Sequence, residues 1–552
     1  MSALGPPDEA RPSVAPGQWE RLLAYAGAPE SVPEGTWLYE PGDQAIDMVL
    51  VEQGEVLICR PPMPGDDECV AIASFGAREF TGELSLLTGQ NAAVGARGGA
   101  GAVVRRLGPA ALRMVMQQEP EISDLLLRTL IARRRYMQSG EGARSLELVG
   151  GAWSADALAL RTYVARQQLP HTWTDADSPA GAAMLRAVGA EPASLPIAIT
   201  PSRVLLNATA GLLAEYLGLS YRAPSEQHTV DLVVVGGGPA GLAAAVYGAS
   251  EGLDTLVLEA SAAGGQAAAS SRIENYLGFT SGISGGELTA RAAVQAEKFG
   301  ARIASPCAVA KLDPHGDVIR LVLFDDTELT ARAVVIATGA RYRSLPLERW
   351  ADFEGAGIYY AATQIEVRAC AQSPVAVVGG ANSAGQAALY LAENGSAVSL
   401  VVRGDDLRAD MSAYLADRVL AHSGITVRTG TQVSALHGAD HLERVSFDAG
   451  TGTPESVACT GLFCFIGATP ATEWLEGLAV DEKGFLRTDA QLLDAELTGT
   501  WAGLGRSPLP FETSEPRVFA AGDVRSGSMK RVASAVGEGA SAVSSVHQAL
   551  GH

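Results

Sequence analysis

The chain of 552 residues is too long for one hydrophobic core and predicts three or four domains. Its 47% apolar and 19% charged residues are those of a globular protein and exclude bulk disorder. With 62 acidic against 41 basic residues the formal charge is −21, which disfavours nucleic acid and anionic membrane surfaces as partners.

No apolar run reaches the ~18 residues needed to span a bilayer. The start, MSALGPPDEARPSVAPG, lacks the basic and apolar regions of a signal peptide, so the expected location is cytoplasmic. The six cysteines (Cys59, Cys69, Cys307, Cys370, Cys459, Cys464) form no C-x-x-C pair and read as buried free thiols. The histidines show no ligand spacing, and no metal site is predicted.

In chain order, residues 1–18 are rich in proline and polar residues and read as a flexible tail. Residues 19–145 alternate short apolar stretches (WLYE, MVLVEQGEVLICR, VAIASF) with turns and end on ISDLLLRTLIARRRYM, a β-roll closed by helices. Within it, GELSLLTGQNAAVGA (82–96) resembles the phosphate-binding cassette of cyclic-nucleotide-binding domains. In that family a glutamate, matched by Glu83, accepts the ribose hydroxyl, and an arginine neutralises the cyclic phosphate. The arginine position is Asn91 here, so a buried phosphate would lack its cation. A structural or docking β-roll is the expectation, ahead of a nucleotide sensor.

Residues 148–222 alternate helix and strand (LALRTYVARQQ, HTWTD, AAMLRAVG, LPIAIT, LLAEYLGL) and resemble a thioredoxin-like fold. Trp153-Ser154-Ala155-Asp156 stands at the place of the redox turn, and the segment has no cysteine. Thiol exchange is therefore excluded there, leaving a structural role.

DLVVVGGGPAGLAAAVYGASEGLDTLVLEA (231–260) runs strand, glycine turn, helix, strand. Gly236 permits the tight turn, Gly238 lets the backbone approach a pyrophosphate, and Gly241 lets the helix pack on the strand. The helix N-terminus offers free amides to phosphate. Glu259, at the end of the next strand, is spaced to accept hydrogen bonds from an adenosine ribose.

With GGQAAASSRIENYLGF (264–279), VVIATGA (334–340) and VFAAGDVRSGSMKRVASAVGEGASAV (518–543), the chain from 229 resembles the thioredoxin reductases and related two-dinucleotide-fold flavoproteins. The whole resembles a bacterial subgroup of that family carrying cyclic-nucleotide-binding-like and thioredoxin-like extensions. The resemblance implies two Rossmann-like three-layer domains in a multidomain α/β chain, an FAD domain at 229–344 and 469–552 and an NAD(P)-type domain at 345–468. It further implies FAD contacts at Gly236, Gly238, Pro239, Ala240, Gly241, Glu259, Gly265, Gln266, Asn275, Gly522 and Asp523, with Lys530, Arg531 and Val532 near the flavin ring. A homodimer is implied as well.

Residues 375–403, VAVVGGANSAGQAALYLAENGSAVSLVVR, repeat the strand, turn, helix, strand order but place Ala381 at the middle glycine. Its methyl points at the pyrophosphate space, and a positive φ there would add strain. The family's basic cluster for a 2′-phosphate retains Arg403 and Arg408, beside Asp405 and Asp406. NAD(P)H binding through Gly379, Ala381, Asn382, Ser383, Ala384, Arg403 and Arg408 stays open.

The family's C-A-T-C redox pair falls on Ala361, Ala362, Thr363 and Gln364, so flavin-to-disulfide relay is excluded at this place. Cys370 has no neighbouring partner in sequence and reads as structural. The expected function is an FAD-dependent oxidoreductase without a redox-active disulfide, passing electrons directly between flavin and a small molecule or external acceptor. Three alternatives stay open: an NAD(P)H-dependent reductase of a redox partner or quinone-like acceptor, an oxidase using oxygen, and a non-catalytic flavin-bound scaffold or sensor. No catalytic acid or base is assigned.

Overall fold

Two valine-rich strands, Thr229–Val235 and Pro374–Val378, are almost wholly buried, as parallel strands covered by helices on both faces must be. Each leads through a glycine turn into a helix, Pro239–Ser250 and Asn382–Glu393 respectively. The computed structural model describes residues 10–551 apart from 12–13, 45, 61, 63–68, 83–90, 138–144, 201–202, 223–227, 271–272, 274, 363, 371, 451 and 498–499.

The first strand lies in a seven-stranded sheet. It pairs in parallel with Thr255–Leu258 on one side and Glu328–Ile336 on the other. Val518–Ala520 returns from far along the chain to pair with Glu328–Ile336. The C-terminal helix Val532–Leu550 then packs against Pro239–Ser250. A Cβ at Gly539 would stand 2.0 Å from the Ala240 carbonyl oxygen, so these helices meet backbone to backbone.

The second strand lies in a five-stranded parallel sheet, flanked in sequence by an antiparallel ribbon of Gln432–His437, Arg444–Asp448 and Glu455–Ala458. The chain leaves the first unit through Ala340–Tyr342 and re-enters it through Ala468–Pro470, and these two crossings pair antiparallel. That two-stranded ribbon joins the two nucleotide folds.

The N-terminal region is a pair of four-stranded antiparallel sheets. One apolar cluster, including Val49, Val51, Val56, Ile58 and Phe75, lies between them. A second, including Trp19, Leu22, Leu50, Leu112 and Leu126, is closed by the helices Pro16–Leu23, Pro109–Gln118 and Pro120–Met137. The expected flexible tail over 1–18 is corrected for its described residues. Ala10 and Val14 are buried, the Ala10 carbonyl accepts a 2.9 Å bond from Arg133 Nε, and Arg11 pairs with Glu79 at 3.0 Å. The proline-rich composition hid two small apolar side chains that find the core.

A four-stranded sheet follows, with Thr172–Asp175 and Glu147–Gly150 parallel and Ile197–Ile199 and Val204–Leu205 antiparallel. Its helices are Ala155–Arg166, Pro179–Val188 and Ala210–Leu217, each N-capped by a Ser or Thr hydroxyl. This small α/β unit touches everything else. Tyr163 donates its hydroxyl to the Ser305 carbonyl at 3.0 Å, and Gln167 Nε2 donates to Ser305 Oγ at 3.0 Å. On the other nucleotide fold, Trp153 stacks on His441 with ring centroids 4.6 Å apart.

Candidate active site

The turn after Thr229–Val235 requires glycine at two places for different reasons. Gly236 has φ +108, and a Cβ there would meet the Ala337 carbonyl oxygen at 2.4 Å; a Cβ on Gly241 would lie 1.8 Å from the Gly236 carbonyl oxygen. Gly238 differs: its backbone is extended, at φ −75 and ψ −175, and the nearest atom to a Cβ would be Gly265 Cα at 3.9 Å. The space in front of this helix N-terminus is open, as a group delivering phosphate to the free amides requires.

Glu259 braces the turn. Its carboxylate accepts from Gly237 N at 2.6 Å and from Ser261 N at 2.9 Å, and the side chain is buried. Across the cleft, Gly522 N donates to Glu538 Oε2 at 2.8 Å, while Glu538 pairs with Arg525 at 3.0 Å. No donor among the described residues bonds to the Asp523 carboxylate, which burial pushes up from its ordinary value while Lys530 pulls it down. An enclosed carboxylate facing a cleft without its own donor fits a ligand that brings hydroxyls.

The cleft holds about 790 Å³ and lies between the two nucleotide folds. Gly236, Gly238, Pro239, Ala240, Glu259, Gly265, Gln266, Gly522, Asp523, Lys530, Arg531 and Val532 line it. Gly241 packs behind the turn. Asn275 departs from expectation: it is exposed and is not among the lining residues. The loop carrying it turns outward, with the neighbouring Leu277 94% exposed. An open cleft of this size, two required glycines, a free helix N-terminus and an unbonded carboxylate fit a bound dinucleotide such as FAD.

In the second fold, Ala381 sits at φ −92 and ψ 176 as the N-cap of Asn382–Glu393, the counterpart of Gly238. The positive φ that would bring strain is not present: this backbone is extended, and alanine adopts it freely. The methyl remains as added volume at the helix N-terminus, where Gly238 has none. Asn382 and Ser383 are exposed, Ala384 is buried under the turn at Gly379, and Ser383 lines the flavin-side cleft. The Asn382 carboxamide oxygen accepts from Ser412 N at 2.8 Å. Arg408 is paired with Asp417, whereas Arg403 is exposed with no ion pair among the described residues.

At the place of the redox pair, Ala361 lines the cleft and Ala362 is buried; Thr363 lies outside the described residues, and Gln364 opens the helix Gln364–Ala369. Among the described residues no cysteine lines the cleft. Cys370 is fully buried, its thiol pushed up to about 12 by burial. Cys59 and Cys69 are free thiols, and burial, with Cys69 nearby, pushes the Cys59 thiol up to about 11.

Glu83 and the cassette helix fall outside the described residues, but Asn91 is placed. Its backbone N–H donates to the Leu217 carbonyl at 3.0 Å and its side-chain amide to the Tyr216 carbonyl at 2.9 Å. The residue at the arginine position thus caps the last helix of the small α/β unit.

Sequence reasoning missed the aromatic and cationic walls. Tyr342 and Tyr360 both line the cleft and stack with centroids 5.7 Å apart and planes 1° apart. Trp350 Nε1 donates to the Tyr360 hydroxyl at 2.9 Å and fixes that ring. Leu158 and Arg166 reach the same cleft from the small α/β unit. No motif signals them, because they belong to a different part of the chain.

Two facing nucleotide folds joined by a paired crossing define the class as a two-dinucleotide-fold oxidoreductase. A family model for pyridine nucleotide-disulphide oxidoreductases matches residues 230–539, and the chain belongs to that family. Proteins of this family use FAD and NAD(P)H. Among relatives, a thioredoxin reductase of Streptomyces clavuligerus is 33% identical over 315 residues, covering 56% of this chain and 91% of that protein. One from Treponema pallidum is 33% identical over 311 residues, covering 56% and 94%. The solved T. acidophilum thioredoxin reductase aligns with TM-score 0.52 at 28% identity, over 58% of this chain and 99% of its own. The Lactococcus lactis structure gives 0.51 at 29% identity, over 58% and 99%.

Proposed function

We propose that this protein is an FAD-dependent oxidoreductase in which electrons pass directly between the flavin and a small molecule or external acceptor, without an enzyme disulfide. The observation that carries this reading is the cleft wall at Ala361, where the related thioredoxin reductases would present a redox cysteine. A relay needs a thiolate beside the flavin and a second thiol to resolve it, and no thiol among the described residues lines this cleft.

Gly236, Gly238 and the N-terminus of Pro239–Ser250 would take the pyrophosphate, Glu259 the adenosine ribose, and Gly522 and Asp523 the ribityl chain. Bound FAD supplies the two-electron chemistry; the chain positions the reactant and limits access of water. Ala361 leaves room beside the ring, and Tyr342 and Tyr360 give that room an apolar, planar side.

Purified, FAD-loaded protein is expected to leave thioredoxin disulfide unreduced in the presence of NADPH while its flavin is reduced or reoxidised by a small molecule. Turnover of thioredoxin at rates typical of a reductase would sink the reading.

A second reading, NAD(P)H as the electron source for a separate acceptor, is favoured by the unstrained backbone of Ala381 and by the unpaired Arg403. Anaerobic stopped-flow mixing with NADH and NADPH in turn separates the two. Rapid bleaching of the flavin supports the second; no bleaching at millimolar nucleotide supports a substrate that reduces the flavin itself.

A further inference from the structure

The wall of the flavin-side cleft contributed by the small α/β unit is unusual in its charge. Arg166 ends the helix Ala155–Arg166, and its side chain is half-buried between that unit and the cleft. No carboxylate pairs with it among the described residues. Glu297, which lines an adjoining cavity with it, is opposed by Arg134 instead. Arg166 lines the same cleft as the stacked Tyr342–Tyr360 pair, where burial pushes the Tyr342 hydroxyl up and the Arg166 charge pulls it down.

The mount is rigid. The residue after Arg166, Gln167, is bonded to Ser305, and Tyr163 on the same helix is bonded to the Ser305 backbone. On the other side, a Cβ on Gly355 would lie 3.0 Å from the Ala155 Cβ, so the helix start abuts the second nucleotide fold. A half-buried guanidinium held this way offers a planar fork of donors with no acceptor. The same cleft is walled by parallel aromatic rings of fixed orientation. The chemistry this pair recognises is a planar organic carboxylate: the carboxylate takes the guanidinium in a bidentate, charge-assisted contact, and the flat body lies along the tyrosines.

We infer that the small α/β unit is a working part of the flavin site, and that Arg166 is the specificity residue binding the carboxylate of a planar, aromatic acid. This deepens the reading of direct electron exchange and rests on it. It also gives the thiol-free unit a task other than thiol exchange.

The test is calorimetric titration of FAD-loaded full-length protein with benzoate, alongside the flavin visible spectrum. Wild type is expected to bind saturably with a perturbed spectrum. Arg166→Gln is expected to weaken binding about tenfold or more with FAD content unchanged, and Arg166→Lys to fall between, since it keeps the charge but loses the fork.

Benzoate affinity equal to wild type in R166Q overturns the inference. So does absence of wild-type binding up to about 10 mM, binding of inorganic phosphate in place of benzoate, or loss of FAD from R166Q, which would assign Arg166 to the cofactor. Should R166Q fail to fold, unchanged benzoate affinity in R166K overturns it. Calorimetry reads this binding without turnover, so thioredoxin reduction by the same preparation would sink the direct-transfer reading separately.

Discussion

The indole of Trp153 lies almost parallel to the imidazole of His441, with ring centroids 4.6 Å apart and planes at 14°. Trp153 immediately precedes Ser154, which caps the helix Ala155–Arg166 through a 3.3 Å bond from Ala157 N. The turn that opens this helix therefore helps to hold the small α/β unit to the second nucleotide fold. Trp153→Ala is expected to lower stability by roughly 1 kcal/mol beyond lost buried area, seen as an earlier first transition in calorimetric melting with FAD content retained. An unchanged melting profile would contradict this role of the stack.

Gly238 and Ala381 occupy the same position in two copies of one motif, and both backbones are extended. Gly238→Ala should therefore fold normally yet lose FAD, because its methyl enters the phosphate approach. Flavin content after gel filtration measures this. Conversely, Ala381→Gly should raise the apparent affinity for NAD(P)H several-fold in anaerobic reduction. The gain should be modest, since there is no backbone strain to relieve.

Glu297 on the flavin-binding unit and Arg134 on the N-terminal region share an enclosed cavity with Gln167 and Gln168. Burial raises the Glu297 carboxyl from 4.5 to about 7, and Arg134 pulls it back only in part. A raised folded-state value means that the assembled protein binds this proton more tightly than the unfolded chain does. The resulting stabilisation is full below pH 4.5 and is lost as pH rises through about 7. Chemical denaturation between pH 5 and 8 should show this decline, and Glu297→Gln should flatten it. An identical slope in the variant would remove Glu297 as its source.

Cys370 should be chemically silent. Its thiol lies near 12, raised by burial, so the thiolate is a minute fraction at pH 8. Alkylation followed by mass spectrometry is expected to modify the half-exposed Cys69 first, and Cys370→Ala should leave the rate of flavin reduction unchanged. A large loss of rate in Cys370→Ala would give that thiol a redox role.

The flavin-binding turn was legible because glycine is forced there by geometry within one short segment: Gly236 by its positive φ, Gly241 by contact with the Gly236 carbonyl. That residues 361–364 carry no cysteine was legible for the same reason, residue types at a fixed spacing. Asn275 misled because its motif fixes residue types and not the direction of an exposed loop. Whether Ala381 is strained was not legible, because residue type does not fix φ; the helix N-cap takes extended backbone there, which alanine tolerates. Arg166 and Tyr342 were invisible because they come to line one cleft only through the docking of separate units, to which no local pattern corresponds.

A Cβ on Gly218 would stand 2.5 Å from Asn91 Oδ1, and Asn91 holds the carbonyls of Tyr216 and Leu217. This asparagine is mortar between two building blocks, the N-terminal sheets and the small α/β unit. A longer side chain at 91 would have to wedge those blocks apart first, so the joint tolerates little growth at that one position.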